Sequence, residues 1–371
     1  MKPLDGIRVL DFSTLLPGPL ATLMLVDAGA EVIKVEKVGG EDLRKSKPFF
    51  KGNSLLFSIL NRGKKSIEID LKIKKNRLKI LKLVKTSDVL VEQFRPGVMK
   101  RLGLDWETLK KINKKLVYCS ITGYGQRGPK KLVAGHDINY LAESGLLSLS
   151  TDNIGTPILP NTQIADIAGG SYPAFMNILL GLFLANRKGK GCYLDISMYE
   201  NMIPLAWLGL ANYFQYNKSP GKNSLHLNGG YHRYFIYKTS DKKFIALGAL
   251  EDKFWYRFCE IINAPNSVVS EKGKPSEIIN KIQIIINSKT GAFWKKKFSK
   301  EQNVCCTLIE KVENLVKDPH LQEKKSSLKD QFLKKSMPPK ISTAIDKNIN
   351  NSKINQKAPL LAQHNYIINK L

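Results

Sequence analysis

The sequence predicts an α/β protein, with a large domain of alternating strands and helices followed by a smaller α+β domain. Three observations carry that expectation. Short β-branched runs alternate with helical patterns as far as about residue 125. A long apolar stretch then begins near Asp166. The composition finally shifts at Asn217 to Gly230, a polar, Gly-containing linker, before a hairpin-like pattern resumes. A length of 371 residues suits two domains of about 150 residues each.

Taken in order, Ile7 to Phe12 reads as a first strand, Pro17-Gly18-Pro19 as a turn, and the apolar residues through Ala28 as a helix. Glu31 to Glu36 reads as the second strand. This strand–loop–helix–strand opening implies a parallel sheet. The turn lacks Gly-x-Gly-x-x-Gly, which disfavours a dinucleotide site even though Glu36 stands where a ribose-binding acid would. Further strands are expected at Ser66 to Leu71, Asp88 to Glu92 and Leu116 to Thr122, with a basic helix after the first of them. The pattern is Rossmann-like. Asp166 opens a helix to about Asn186, closed by Gly189 and Gly191. Tyr193 to Ser197 reads as a strand and Met198 to Tyr216 as another helix. Beyond the linker, Tyr234 to Tyr237 and Phe244 to Leu247 form a hairpin, and helices follow near 251–262, 275–287 and 290–299. The expected division is 1–217 for the large domain, 225–320 for the small one, and 321–371 as a segment returning towards the large domain. That last segment reads as extended, with a short helix near Leu360. No internal repeat is visible.

The formal net charge is +27. One reading is an acidic partner: nucleic acid, a membrane surface or a phosphate-rich ligand. The other is Lys-, Ile- and Asn-heavy usage on solvated faces. The lysines scatter through all segments, which favours the second, and no basic-aromatic interleaving supports nucleic acid. Five cysteines, an odd number without Cys-x-x-Cys, argue for a reducing compartment and against zinc. The N-terminus has no apolar signal core. The most apolar run, Ala174 to Ala185, falls short of the ~20 residues a membrane span needs and reads as a buried helix. A cytoplasmic location is expected; the final Asn369-Lys370-Leu371 distantly resembles a peroxisomal tripeptide.

Chemistry concentrates at three places. His136 lies in Gly135-His136-Asp137-Ile138-Asn139-Tyr140, and an imidazole both takes and returns a proton near neutrality. Asp166 precedes Gly169, Gly170 and an apolar helix. Its plainer role is an N-cap; the glycines there would admit close approach of a ligand, and the helix dipole would favour charge developing on a substrate oxygen. Glu251 follows an apolar strand, with capping again the plainer role. Lys37, Arg62, Lys64, Lys65, Lys72, Arg95 and Arg101 lie at or after strand ends, where open α/β sheets bind ligands. Lys64 and Lys65 read as the most solvated of these.

At these residues the chain resembles the class III (CaiB/BaiF) CoA-transferase family, and within it the α-methylacyl-CoA racemase branch. The resemblance covers nearly the whole chain to about residue 320. It rests on Leu4-Asp5-Gly6-Ile7-Arg8-Val9-Leu10-Asp11, Asn61-Arg62-Gly63-Lys64-Lys65-Ser66, Phe94-Arg95-Pro96-Gly97-Val98, Gly123-Tyr124-Gly125-Gln126 and, most specifically, the Gly-His-Asp-Ile-Asn-Tyr string at 135–140. It implies a Rossmann-like large domain plus a smaller α+β domain in an interlocked homodimer whose active site is completed across the two chains. CoA would lie on the large domain, with Lys37, Ile69, Leu71, Lys72, Phe94, Arg95 and Arg101 around adenine and phosphates. Residues 135–140, with Gly135, Asp137 and Tyr140 among them, would hold the pantetheine and thioester. Lys37 stands where the family often has Arg, which would turn a bidentate phosphate contact into a point-charge one.

The implied reaction is 1,1-proton transfer on a 2-methylacyl-CoA through a thioester enolate. His136, paired with Glu251, serves one face and Asp166 the other, with no metal or redox cofactor; the CoA thioester is the substrate. The second reading is a CoA-transferase in which Asp166 becomes an aspartyl-CoA thioester. Tyr231-His232-Arg233 departs from the racemase pattern, and Arg233 is expected to be able to receive an acyl chain with a distal carboxylate.

Overall fold

The computed structural model describes residues 2–152, 154–221, 224–315, 317–320 and 357–371. The expected extended segment after Asp318 falls largely outside the described residues.

Six strands form one parallel sheet: β1 (Arg8–Asp11), β2 (Glu31–Glu36), β3 (Lys65–Glu68), β4 (Val89–Glu92), β5 (Val117–Thr122) and β6 (Cys192–Ser197). Their spatial order is β3-β2-β1-β4-β5-β6, and every pairing is parallel. This is the doubly wound order, in which the crevice between β1 and β4 receives ligands at the carboxyl ends of the strands. β4 and β5 are buried along their whole length, as strands covered on both faces must be. Helix α1 (Pro17–Asp27) follows β1. Pro17 suits its first turn, where the missing N–H costs no helical bond.

One core cluster gathers Leu10, Ile33, Ile67, Ile80, Val84, Leu90 and Tyr118, with Ile368 from the chain's C-terminal stretch. That stretch is anchored by hydrogen bonds to β3. The N–H of Ser66 donates to the Nδ1 of His364, and the N–H of His364 donates to the carbonyl of Ser66. Its helix spans Tyr366–Asn369, past the expected position near Leu360.

Two expected helices are broken. The segment Ala165–Ser171 winds as a wide π turn, and regular helix α2 (Tyr172–Lys188) begins only after it. Pro204 lies within a 3₁₀ stretch, Glu200–Ala206, so the helix expected from Met198 starts as α3 at Trp207–Tyr216. The helix Ala165–Lys188 taken as one piece is 24 residues, long and apolar enough to cross a membrane by length and composition alone. It is not the buried helix expected: Tyr172, Met176, Leu180 and Phe183 form an exposed stripe at helical spacing.

The described chain divides into two compact units. The first comprises the described residues of Met1–Leu146, Leu159–Ala206 and Pro319–Leu371; the second comprises those of Leu147–Ile158 and Trp207–Asp318. The boundary thus precedes the polar linker: α3 and the 147–158 stretch group with the second unit rather than with residues 1–217. The second unit holds an antiparallel sheet of β7 (Tyr234–Lys238), β8 (Phe244–Gly248) and β9 (Cys306–Leu308), with β8 central. Helices α4 (Asp252–Ile261), α5 (Pro275–Asn287) and α6 (Gly291–Phe298) pack Trp255, Phe258, Ile282 and Trp294 into its core. The three-residue β9 was too short to stand out in the sequence.

Candidate active site

Two clefts open at the carboxyl ends of the parallel strands. The first, about 420 Å³, is lined by Thr14, Leu15 and Pro17 after β1, Gln93 to Pro96 after β4, and Ile121 to Tyr124 at the end of β5. His136 and Asp166 line the same cleft. It therefore sits at the point where the strand order reverses. The second, about 470 Å³, is lined by Val35 to Val38 at the end of β2, by Ile69 to Lys72 after β3, and by Phe94, Val98 and Leu102. Phe94 is a wall of both.

His136 precedes the helix Asp137–Glu143, at its N-cap, and is exposed to the cleft. Its own N–H donates to Asn139 Oδ1 at 3.0 Å, which fixes the chain's entry into the helix. Gly135 is required by packing. A Cβ there would lie 2.8 Å from the ring of Tyr140, whose hydroxyl donates to the Gly135 carbonyl at 2.6 Å. Tyr140 is thus a buried prop for the loop carrying His136. Burial, with the Asp166 charge nearby, pushes its hydroxyl up to about 12, so it remains a donor.

Asp166 lies inside the π turn and is not an N-cap; Ile164, before the turn, already has helical backbone angles. Wide turns of this kind often mark functional sites because they turn a side chain out of the helical repeat. The glycines behind Asp166 serve protein packing and not a ligand. A Cβ on Gly169 would stand 2.6 Å from the Met198 carbonyl, and one on Gly170 would stand 2.9 Å from Pro17. The N–H of Asp166 donates to Asp137 Oδ1 at 3.0 Å. Burial, and then the Asp137 charge, push the Asp166 carboxyl up to about 7. Burial also raises the carboxyl of Asp137, against the N–H bonds it accepts from Asp166 and Ala165. A carboxyl poised near neutrality in a cleft with an imidazole is suited to exchanging a proton in either direction.

The second cleft brings together Lys37, Ile69, Leu71, Lys72 and Phe94, while Arg95 lines the first. Arg101 lines neither; it lies on the short helix Val98–Leu102, whose Val98 and Leu102 do line the second. Asp137 acts through its bond to Asp166 and does not line the first cleft. Glu251 belongs to the second unit. It holds the N-cap position of α4 with no capping bond from its side chain, and it is exposed. Asn139, within the 135–140 string, lines the first cleft as well, and so do Gln93 and Lys131, which were not singled out from sequence; for Gln93 the available signal was its place directly after a strand.

Several cations expected at ligands are instead consumed by the fold. Lys64, read as solvated, is fully buried and pairs with Asp11 at 3.0 Å, donating also to Thr22 Oγ1, Asn61 Oδ1 and the Pro19 carbonyl. Burial pulls the Lys64 ammonium down to about 8, against the attraction of Asp11. Although burial raises it, Asp11 is held well below the usual carboxylate range by Lys64 and Lys34. Arg62 grips Asp27 through two bonds, of 2.5 and 2.6 Å, both residues buried. Lys65 bonds Glu31 at the surface. Glu36 is no ribose acid, since Arg44 holds both its oxygens at 2.7 Å. Arg233 is likewise taken up. It binds both oxygens of Glu271 at 2.6 and 2.7 Å and Asp252 at 2.8 Å, and it is 5% exposed. A distal carboxylate on an acyl chain would have to displace Glu271, so the expectation placed on Arg233 is withdrawn.

Comparison with known proteins agrees with this architecture. The model of CoA-transferase family III matches residues 4–365. The chain is 37% identical over 270 residues to mouse succinyl-CoA:glutarate CoA-transferase, a match covering 72% of this chain and 61% of that protein's length. It is 34% identical over 331 residues to human alpha-methylacyl-CoA racemase, covering 87% of this chain and 82% of the racemase. The crystal structure of a CaiB/BaiF family protein from Brucella suis superposes with a TM-score of 0.83 at 26% identity, covering 100% of this chain and 99% of that one. A family match across nearly the whole chain and a superposition over its full length lead to one conclusion: the chain belongs to CoA-transferase family III.

Proposed function

We propose that the protein is an α-methylacyl-CoA racemase or epimerase, inverting the α-carbon of a 2-methylacyl-CoA by 1,1-proton transfer. The observation that supports this most is the joint presence of His136 and the near-neutral Asp166 in one cleft. One group removes the α-proton, the C–H electron pair moves into the thioester carbonyl to give an enolate, and the other group returns a proton to the opposite face. Both must accept and release protons at working pH, which a carboxyl near 7 does. Backbone N–H groups at the start of the helix Asp137–Glu143 are assigned to the enolate oxygen. Adenine and phosphates are assigned to the second cleft, with Lys37 and Lys72 as cations and Arg95 and Arg101 at its approach. The step transfers only protons and calls for no metal or redox cofactor. The part of Glu251 as partner of His136 rests on the resemblance, and Glu251→Gln tests it by slowing exchange while leaving CoA affinity unchanged.

The transferase reading has its own support, the 37% identity to a succinyl-CoA:glutarate CoA-transferase. There Asp166 Oδ attacks the thioester carbonyl and expels CoA thiolate, which then attacks the Asp166 carbonyl of the mixed anhydride, releasing the donor acid as its carboxylate and leaving CoA as an aspartyl thioester. That chemistry uses the ionised form of Asp166, as proton abstraction does in the racemase reading, so a carboxyl raised to about 7 serves either. Incubation in deuterated water separates the two. The racemase reading expects deuterium at the α-carbon and no covalent adduct. Hydroxylamine-cleavable CoA on Asp166, without α-deuterium, supports the transferase.

A homodimer completes the proposal. The stripe Tyr172, Met176, Leu180 and Phe183 on α2 is exposed in the single chain, and a second copy is its assigned cover. Leu180→Glu with Phe183→Lys should shift the chain from dimer to monomer in light scattering; an unchanged mass rejects this face.

A further inference from the structure

Leu15 stands in a backbone conformation that leucine rarely adopts. Its φ is 60°, in the left-handed region, where a Cβ crowds the chain and glycine is at ease. It is also 40% exposed, and it lines the first cleft together with His136 and Asp166. The other described non-glycine residues with positive φ, such as Lys51, Asn217 and Glu271, line neither cleft. A buried ion pair holds the Leu15 conformation. Glu41, 1% exposed, accepts the Leu15 N–H at Oε2 over 3.0 Å, and its Oε1 stands 3.3 Å from the Lys34 ammonium. Lys34 in turn donates to the Ser13 carbonyl at 2.8 Å, and Asp11 Oδ1 accepts the Ser13 N–H at 2.9 Å. The chain is thus tied to buried charges on both sides of Thr14. Relaxing Leu15 to an ordinary φ would break a bond to a buried carboxylate.

A glycine would make this turn without strain, so what leucine adds is its side chain. That side chain is exposed at the cleft and is not spent on filling a core. Pro17, Phe94, Ile121, Val133 and Met198 line the same cleft, so Leu15 joins an apolar share of the lining. Apolar lining suits an apolar part of a ligand. In an acyl-CoA, the apolar part that the chemistry brings beside His136 and Asp166 is the acyl chain next to the α-carbon. We propose that Leu15 is a specificity-determining residue, whose side chain bounds the space for the acyl chain of the 2-methylacyl-CoA. The inference rests on the proposed function, which puts the α-carbon between His136 and Asp166. A leucine whose backbone is tied to Glu41 does not swing aside as one on an unheld loop does, so it limits the bulk that the chain carries next to the α-carbon.

The test compares α-deuterium exchange of two 2-methylacyl-CoAs of equal chain length, one straight and one branched at the third carbon. The proteins are the parent chain, Leu15→Gly and Leu15→Ala. Both variants open the cleft, so the ratio of kcat/KM for the branched over the straight substrate should rise about tenfold. The straight substrate should lose affinity, seen as a higher KM with kcat little changed. Calorimetric affinity for free CoA, which has no acyl chain, should stay as in the parent. Leu15→Gly should melt above Leu15→Ala, because alanine keeps the strain that glycine relieves. A leucine serving only the turn would leave the substrate ratio unchanged in both variants, and that result overturns the inference while the proposed function stands. A fall in free-CoA affinity matching the rise in KM overturns it as well, since Leu15 would then hold CoA and not the acyl chain. No exchange by the parent protein on either substrate overturns the proposed function itself.

Discussion

Two groups of charges in the first unit have opposite fates. At the carboxyl end of β1, Asp11 and Lys64 are both buried, and each is bound by the other and by fixed dipoles. At the carboxyl end of β4 and in the π turn, Glu92 and Asp166 are also buried, but no cation neutralises them, and both carboxyls rise to about 7. Burial alone therefore does not mark chemistry. Paired burial holds a charge in one state; unpaired burial leaves a group able to change state near neutral pH. The Arg233–Glu271 contact belongs with the first kind, which is why it carries no substrate role.

The contrast is broken most severely at Asp166. Asp166→Asn should lower α-proton exchange by about 10³-fold with melting temperature retained, because it removes a proton carrier without leaving a charge unpaired. Loss of stability with retained exchange would move Asp166 to the structural group. Lys64→Met should do the reverse. It strands Asp11 in the interior and should cost about 3–5 kcal/mol in denaturant unfolding. Smaller than either is the effect of Asp137→Asn. The amide still accepts the Asp166 N–H, but the neighbouring negative charge is gone. Asp137 raises Asp166, so its removal should move the Asp166-dependent limb of the kcat/KM profile to lower pH. A limb that stays in place would mean that burial alone sets this carboxyl.

What was legible from sequence follows the same line. The parallel sheet showed itself because buried strands such as Val89 to Glu92 and Val117 to Thr122 are written as local apolar runs. His136 and Asp166 could be picked out as candidates, since imidazole and carboxylate next to glycines are visible one residue at a time. The fate of Lys64 was not, because it depends on Asp11, Thr22 and Asn61, brought to it only by the fold. Arg233 was misread for the same reason: Glu271 is distant in sequence. The π turn left no trace either. Gly169 and Gly170 suggested room for a ligand, whereas their missing Cβ atoms let the turn close against Met198 and Pro17. The grouping of Trp207–Tyr216 with the second unit has no compositional signal, since that helix is as apolar as the one before it.

The most direct test of the central claim is α-hydrogen exchange of a single epimer of a 2-methylacyl-CoA in deuterated water, followed by mass and chirality. The account predicts one deuterium at the α-carbon appearing together with inversion, lost in both Asp166→Asn and His136→Ala. Inversion or exchange that persists in both variants, or CoA transfer to a carboxylic acid with no deuterium at the α-carbon, would contradict it.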